Sequence, residues 1–452
     1  MPRLDVVAVV TCLCLLAGCS KGSQPTPPPS GGTGESITGR ERIGWDQPAA
    51  SPAELATTRY AIYVDGVRSE MADVTCATTA GTAGFPCSGR LPAMSNGSHV
   101  LELAAFVDSG GILESTRSTP FRVTVTGVAA GAAAALAHGE VVTTVDGVQL
   151  RAEVLFDGLE DPTALAVTGD GRAFVGTASG LVVVKDGATV GPPQLTDGPL
   201  LGIALSTTFA RDGQVYATQA VPSEGGAVLF RTSRFRDFGG RLVERMVVLE
   251  NGPASQEPSA ALRFGPDGKL YVAFDDGGSA AAAERMSDWS GKVLRMEPDG
   301  RTPEDQAAAS PVLFRGLTSP RGFDWTPDGS AIWIADASRD GVERLRVITS
   351  TSERPRRAGQ RGTFVMPRGL GAAALVFYRG DAIPEFLGDL FIAGRDGGYI
   401  LRVRFDPDDR ARPFSTERLL EDRVGTVRAL AIGADGAIYF STQRSLVRLV
   451  QR

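Results

Sequence analysis

The chain has 452 residues and a formal net charge of −6, so it is long enough for two or three domains and has no basic field for a polyanion. Its 55 glycines and 28 prolines, with 42% hydrophobic residues and few long helical patterns, predict an all-β protein with many turns. No dense run of Lys and Arg with interleaved aromatic residues is present, which argues against nucleic acid as a partner.

The N-terminus is predicted to be an export signal. Residues 1–18 contain an apolar stretch that is too short to cross a bilayer. The ending Leu16–Cys19 resembles the lipobox of bacterial lipoproteins, in which cleavage leaves the cysteine as a lipid-bearing N-terminus. This resemblance implies a membrane anchor through Cys19 in the bacterial envelope, and Ser20 favours the outer membrane, on either its periplasmic or its surface face. An ordinary signal peptide with an unrelated cysteine is the alternative.

Three segments of different composition follow the signal. Residues 19–36 are rich in Pro, Gly and Ser and are predicted to form an extended tether. Residues 37–127 alternate apolar and polar residues between turn signals, which predicts a small β-sandwich. This segment resembles a fibronectin type III module, with Trp45 as a core residue. Residues 128–141 are then predicted to be an Ala/Gly-rich linker.

Two cysteines, Cys76 and Cys87, remain beyond the signal and its lipid site. In an oxidising envelope they are expected to form a disulfide bond. A pair of metal ligands is the alternative, but no His or further Cys stands nearby to complete a zinc site.

One pattern recurs six times from residue 142 to residue 452: an apolar strand, a turn with glycine, and a second apolar strand. Glycine supplies the positive φ that such a tight reversal needs. One hairpin alone would expose both of its apolar faces, so the units must stack around an axis. The repeat therefore predicts a six-bladed β-propeller, in which the loops at one end converge on a funnel, the default ligand site. The turn glycines are Gly171, Gly213, Gly268, Gly329, Gly388 and Gly436.

The same region resembles the soluble glucose/sorbosone dehydrogenases, also called PQQ-dependent aldose sugar dehydrogenases. The likeness runs from Val154 to Val450 and is most specific in the segments SGKVLRMEPDG and GDLFIAGRDGGYILRVRF. It implies oxidation of the anomeric carbon of a sugar to a lactone, with pyrroloquinoline quinone (PQQ) as hydride acceptor and calcium to bind and polarise the quinone. In that family a His acts as the base, and an Arg and an Asn in a Gly-His-Arg-Asn-Pro-Gln-Gly stretch hold the cofactor.

The chain departs from the family at these positions. Glu257 stands where the family has its catalytic His, and the two histidines of the chain, His99 and His138, lie in the predicted sandwich and linker. Thr318 and Ser319 replace the Arg and the Asn that hold the cofactor. Two interpretations of Glu257 stay open: a replacement base, because a dry funnel can raise the pKa of a carboxyl group, or a solvated loop residue.

Charged residues supply the remaining candidates for the site. Asp275 and Asp276 match an acidic pair near the family's pocket and, with loop carbonyls, would bind calcium unless they are a solvated strand end. PQQ carries three carboxylates, so its site needs fixed positive charge. Two of the candidate arginines, Arg402 and Arg404, share one strand face and can instead be exterior charges. The candidate cations are Arg321, Arg402 and Arg404, with Arg368 and Arg395.

Two functions follow from this resemblance and its departures. The first is a PQQ-dependent dehydrogenase that oxidises a sugar in the cell envelope. The second is a propeller without catalysis that binds a sugar or glycan, or acts as a scaffold, at the cell surface, and this function tolerates the missing His and Arg. Hydrolase and nucleotide chemistry are unsupported, because no nucleophile-elbow, HExxH, Walker or dinucleotide motif stands in a suitable context.

Overall fold

The computed structural model divides the chain into two compact units, Met1–Gly131 with Pro367–Gly369, and Ala132–Met366 with Leu370–Arg452. Strands dominate both units, as the sequence predicts for an all-β protein. No helix in the described ranges is long and apolar enough to cross a membrane. The predicted signal, Cys19, the tether up to residue 34, linker residues 128–135 and Arg368 lie outside the described residues. Described are residues 35–37, 41–71, 74–92, 94, 97–108, 112–126, 136–306, 309–339, 341–348, 356–357, 364–367, 369–405, 413–421 and 423–452.

The described residues of the smaller unit form two sheets. One has the strand order β1-β9-β7-β3-β4, with β8 paired to β7, and the other has the order β2-β6-β5. The elements are β1 (Glu35–Ile37), β2 (Arg42–Gln47), α1 (Pro52–Thr57), β3 (Arg59–Val64), β4 (Val67–Glu70), β5 (Thr75–Cys76), β6 (Phe85–Arg90), β7 (Gly97–Asp108), β8 (Ile112–Glu114) and β9 (Phe121–Val125).

Side chains from both of these sheets form one core. Trp45 on β2 and Phe85 on β6 share a cluster with Ile62 on β3 and Leu103 on β7. The ring of Trp45 lies edge-on to that of Tyr60, with centroids 4.8 Å apart. Strand β2 alternates buried and less buried residues, as the period of two predicts for a sheet with one buried face. Trp45 is therefore a core residue of this unit, as expected.

Cys76 and Cys87 form a disulfide bond, which links β5 to β6 across paired positions. Because the two cysteines are 11 positions apart in the chain, the chain-entropy model gives a stabilisation of about 2–3 kcal/mol. We expect the double variant Cys76→Ser/Cys87→Ser to lower the unfolding free energy of the smaller unit by that amount in denaturant titrations. Reductant should have the same effect on the wild-type protein and none on the variant. A wild-type transition that ignores reductant would contradict this prediction.

The larger unit contains the strands β10 to β35, with short helical segments between some of them. A single 3-10 turn covers Pro384–Phe386. The elements up to the middle of this unit are β10 (Val141–Thr143), β11 (Gln149–Asp157), β12 (Pro162–Val167), β13 (Ala173–Thr177), β14 (Gly180–Lys185), β15 (Ala188–Thr189), β16 (Leu200–Leu205), α2 (Phe209–Asp212), β17 (Gln214–Pro222), β18 (Val228–Phe238), β19 (Arg241–Asn251), β20 (Ala260–Phe264), β21 (Leu270–Phe274), α3 (Ala280–Glu284), β22 (Lys292–Met296) and β23 (Val312–Arg315). The later elements are β24 (Pro320–Trp325), β25 (Ile332–Ala337), β26 (Glu343–Ile348), β27 (Arg356–Arg357), β28 (Phe364–Val365), β29 (Ala372–Phe377), β30 (Leu390–Gly394), β31 (Tyr399–Phe405), β32 (Pro413–Leu419), β33 (Ala429–Ile432), β34 (Ile438–Ser441) and β35 (Ser445–Gln451).

These strands form six sheets within the described residues. The predicted hairpins are all present as antiparallel pairs, β12-β13, β16-β17, β20-β21, β24-β25, β29-β30 and β33-β34. The strand orders are β10-β11-β35-β34-β33, β12-β13-β14-β15, β16-β17-β18-β19, β20-β21-β22-β23-β27, β24-β25-β26-β28 and β29-β30-β31-β32.

The first strand of each hairpin lies on the inside of the unit. Strands β12, β16, β20, β24, β29 and β33 contact one another in that order, and β33 contacts β12. The inner strands thus form a closed ring. The unit's early strand β11 pairs with its last strand β35, so both ends of the unit are hydrogen-bonded into one sheet. Closure of this kind leaves few exposed sheet edges.

The turn between β20 and β21 shows why these sequences form hairpins. Gly268 adopts a φ of 72°, in the left-handed region that glycine enters without strain. The N–H of Gly265 donates to the carbonyl of Lys269 at 2.9 Å, and the carboxylate of Asp267 accepts from the N–H of Lys269 at 3.1 Å. The turn therefore supplies its own hydrogen bonds. Leu270 and the residues up to Phe274 then follow as a fully buried strand.

Candidate functional site

A cavity of ≈ 160 Å³ opens where the six inner strands begin. Its walls come from all six sheets, so the convergence predicted from the repeat is present. A second cavity of ≈ 70 Å³ continues along the same inner strands. We call the first cavity the mouth, and its lining residues are Pro162, Thr163, Leu201, Pro258, Ser259, Ala260, Pro320, Arg321, Ala372, Ala373, Arg395 and Arg428.

Three arginines give the mouth its positive charge, and two of them are paired with carboxylates. The Nε of Arg395 donates to Asp396 at 2.9 Å, and Nη2 of Arg428 lies 3.4 Å from an oxygen of Asp161. Arg321, in contrast, makes no hydrogen bond and no ion pair in the described part of the chain. Burial lowers the pKa of the Arg321 guanidinium, and the positive charge of Arg395 lowers it further. The mouth thus holds one cation without a counter-ion.

Two glutamates bring negative charge close to Arg321. The charges of Glu343 and Glu257 both act on the Arg321 pKa in the direction that stabilises the cation. Glu257 is exposed and does not line the mouth, although its neighbours Pro258 and Ser259 do. Glu343, at the start of β26, accepts a hydrogen bond from the N–H of Ala372 at 2.8 Å, and burial raises its pKa. Nothing in the sequence signalled Glu343, because its position depends on the pairing of distant strands.

The carboxylates of Asp275 and Asp276 are both occupied by protein donors. Asp275 is fully buried and accepts from the N–H groups of Ser255, Ser259 and Gly277 and from the hydroxyl of Ser255, at 2.8–3.1 Å. Asp276 accepts from the N–H of Gly278 at 2.9 Å and from Arg339 at 2.5 Å. Asp275 therefore holds the loop that carries Ser259 into the mouth.

Thr318 and Ser319 lie beside the mouth, but their backbone donors are also in use. Both N–H groups donate to one oxygen of Asp336, at 3.0 and 2.8 Å, and Arg346 binds the other oxygen at 2.8 Å. Burial raises the pKa of the Asp336 carboxyl, and the positive charge of Arg346 opposes this rise. The Ser319 hydroxyl lies 2.9 Å from that of Ser259. These contacts make Asp336 the counterpart of Asp275 in the next sheet.

The structure does not bring Arg402 or Arg404 to the mouth. Both lie on β31, the third strand of its sheet, away from the inner ring. Arg402 is fully buried and pairs with Asp389 at 2.6 Å, Asp146 at 2.9 Å and Glu417 at 3.1 Å. Arg404 donates to the hydroxyl of Ser415 at 2.8 Å. Neither guanidinium is placed to hold a ligand of the mouth.

Neither of the two histidines of the chain lines the mouth. His99, in the smaller unit, is buried with its Nδ1 2.7 Å from a carboxylate oxygen of Asp65. His138 is exposed, with Nδ1 3.4 Å from the carbonyl of Val154. The mouth accordingly contains no imidazole.

The model of the glucose/sorbosone dehydrogenase family matches residues 159–354 and 346–451, which is more than half of the chain. The chain belongs to the glucose/sorbosone dehydrogenase family. The match covers the inner ring and the mouth, and it ends within β35.

Individual relatives agree with this assignment to the glucose/sorbosone dehydrogenases. The aldose sugar dehydrogenase of Escherichia coli K12 is 21% identical over 345 residues, which cover 67% of this chain and 92% of the relative. An oxidoreductase (glucose dehydrogenase) of Thermus thermophilus is 26% identical, with a TM-score of 0.56 over 67% of this chain and all of the other. The PQQ-bound aldose sugar dehydrogenase of Streptomyces coelicolor is 20% identical, with a TM-score of 0.53 over 67% of this chain and 98% of that one.

PQQ, the cofactor of this glucose/sorbosone dehydrogenase family, does not fit the donors that line the mouth. Its three carboxylates need several free cations. Thr318 and Ser319, which the resemblance places at the cofactor-binding positions, are neutral, and their N–H groups donate to Asp336. Arg395 and Arg428 already have carboxylate partners, so Arg321 is the single uncompensated cation among the described lining residues. This set suits one carboxylate rather than three.

Calcium, which the resemblance implies as a second cofactor, also lacks a suitable donor set. Calcium takes six to eight oxygen ligands. The carboxylate oxygens of Asp275 and Asp276 already accept hydrogen bonds from protein N–H, O–H and guanidinium donors. The described residues contain no group of three or more His, Cys, Asp or Glu side chains that could hold a metal ion. The calcium assignment stays a prediction.

Proposed function

We propose that the protein is a carbohydrate-binding propeller that has lost the dehydrogenase chemistry of its family. In this proposal the larger unit is a six-bladed propeller, and the smaller unit is a fibronectin type III-like sandwich. The signal and Cys19 anchor both units in the outer membrane of a bacterial envelope. The sugar-oxidising relatives support a sugar as the ligand of the mouth.

One observation carries the loss of catalysis: the mouth has no imidazole. The chain's two histidines are engaged elsewhere, and Glu257, which the resemblance places at the position of the family's base, is exposed. A general base must come within hydrogen-bond reach of the proton that it removes. Glu257 does not line the mouth, so a sugar held there has no base at the family's position.

The side chains that line the mouth are suited to binding a sugar. Small residues, Ala260, Ala372 and Ala373, leave room near the axis, and the hydroxyl of Ser259 lies among them. Hydroxyl groups can donate and accept, which matches the hydroxyls of a sugar. Arg321 adds a positive charge that no described residue pairs with. Such a mixture of small walls with few polar groups is typical of a ligand pocket.

The test is cofactor binding and turnover in the purified full-length protein. We expect no calorimetric signal with PQQ and calcium at tens of micromolar, and no dye reduction across a panel of neutral and acidic sugars. The aldose sugar dehydrogenase of E. coli serves as the positive control under identical conditions. Sugar-dependent dye reduction above the rate of boiled protein would overturn the proposal.

A further inference from the structure

Arg321 is a half-buried guanidinium that has no hydrogen-bond or ion-pair partner among the described residues. It lies at the start of β24, where it lines both the mouth and the cavity that continues along the inner strands. A guanidinium carries five N–H donors in a fixed fork. None of them is used by a described residue. An unpaired charge removed from water destabilises a protein unless something pairs with it.

None of the neighbouring described carboxylates forms an ion pair with Arg321. Asp275 is committed to four donors, and Glu343 accepts from the N–H of Ala372. Glu257 is exposed and forms no ion pair with Arg321. Burial is the main cause that lowers the Arg321 pKa, and the positive charge of Arg395 lowers it further. The N–H donors of Arg321 therefore stay available to an anion that comes from outside.

We propose that the mouth binds a sugar with one carboxylate, a uronic or aldonic acid, and that the guanidinium of Arg321 holds this carboxylate. The inference rests on the proposed function, because it assumes that the mouth holds a carbohydrate. A planar guanidinium matches a carboxylate with two parallel N–H···O bonds. One uncompensated cation balances one negative charge, whereas a phosphate dianion or a tricarboxylate would remain underpaired. Ser259, whose hydroxyl lies 2.9 Å from that of Ser319, lines the same cavity.

Calorimetry or ligand-observed NMR on the full-length protein tests the inference. The probes are glucuronate, galacturonate and gluconate, with glucose and xylose as neutral partners and inorganic phosphate as the competing anion. We expect the acidic sugars to bind at least about 10-fold more tightly than the neutral sugars, since a charge-assisted pair outweighs a neutral hydrogen bond. This preference should weaken as the salt concentration rises.

The variant Arg321→Gln should lose roughly 10- to 100-fold in affinity for the acidic sugars and leave glucose binding unchanged. Arg321→Lys should keep part of the preference, because it retains the charge but not the fork. The matched control is Arg245→Gln, which removes an arginine from the outer strand β19 that is paired with Asp197 at 3.0 Å. This control should behave like the wild type.

Failure of the inference and failure of the proposed function would give different experimental results. Equal affinity for glucuronate and glucose in the wild type, or an Arg321→Gln variant with an intact preference, would overturn the inference and leave the proposed function in place. Absence of binding by every sugar, or turnover with PQQ, would overturn the proposed function. Phosphate that binds more tightly than glucuronate and competes with it would overturn the choice of a carboxylate. The wild-type preference and its salt dependence decide the matter even if Arg321→Gln does not fold.

Discussion

Arg402→Met should lower the free energy of unfolding of the larger unit by about 3–5 kcal/mol, because it leaves buried carboxylates without their cation. Arg402 is fully buried and bridges Asp146, Asp389 and Glu417, and its guanidinium lies 4.2 Å from the centroid of the Phe386 ring. Methionine keeps much of the apolar contact but removes every ion pair.

The loss of unfolding free energy caused by Arg402→Met should be smaller at low pH than at pH 7. Burial acts to raise the pKa of Asp146, but hydrogen bonds from Arg402 and Thr144 outweigh it and lower that pKa to about 2. A depressed carboxyl pKa stabilises the fold above its unfolded value near 3.8, and the contribution is lost as the pH falls toward 2. Burial raises the pKa of Asp389 to about 6, so this group favours the fold more as the pH falls from 6 toward 3.8. Removing Arg402 takes away an interaction that lowers both carboxyl pKa values, so protonation in acid relieves the variant more than the wild type and the difference between them shrinks.

Denaturant titrations at pH 7 and pH 4, followed by tryptophan fluorescence, provide the measurement. Three of the four tryptophans, Trp289, Trp325 and Trp333, belong to the larger unit, so the signal reports mainly on it. The control is Arg404→Met on the same strand, whose partly exposed side chain should cost about 1 kcal/mol or less. Equal effects of the two substitutions would show that the buried network contributes no more than a surface ion pair.

Arg402 also shows which structural features the sequence alone does not predict. The alternation of β31 predicts correctly that Arg402 and Arg404 lie on one face. It does not tell which strand of the sheet carries them, and β31 is the third strand rather than the inner one. The partner Asp146 stands 256 residues earlier in the chain, so no local pattern could reveal the pair. The hairpins, in contrast, were predictable because their signals are local: apolar strands and glycine turns.

The repeated segments contain one further pattern, acidic residues at the ends of corresponding strands, that indicates residues near the site. Asp275 and Asp336 stand at the ends of corresponding strands, at or just after β21 and within β25, and each fixes the loop before the inner strand of its own sheet. A comparison of the copies at this position predicts buried acceptors rather than solvated or metal-binding carboxylates. Glu343 and Arg428 had no such signal, because the pairing of distant strands brings Glu343 near Arg321 and the closure of the ring brings Arg428 to the mouth.

Asp275→Asn should destabilise the larger unit by about 3 kcal/mol and weaken binding in the mouth. The amide nitrogen of Asn would face donors that now meet a carboxylate oxygen, and buried donors without acceptors cost about 1–3 kcal/mol each. The N–H of Ser259 is one of them, so the loop that carries Ser259 should shift, and the affinity for acidic sugars should fall with the stability. The comparison is Asp276→Asn, which breaks contacts with Gly278 and the partly exposed Arg339 and should cost about 1 kcal/mol.

Calcium distinguishes the two roles that Asp275 can have. If its carboxylate is an internal acceptor, neither calcium nor a chelator should move the unfolding midpoint of the wild-type protein, because all its oxygens already accept from protein donors. If Asp275 and Asp276 instead bind calcium, the midpoint should rise with the logarithm of the calcium concentration above the dissociation constant, and both Asn variants should abolish the rise. Thermal unfolding of the wild type and both variants, with calcium and with EDTA, separates these results. A calcium-dependent midpoint that Asp275→Asn removes would make this loop a metal site.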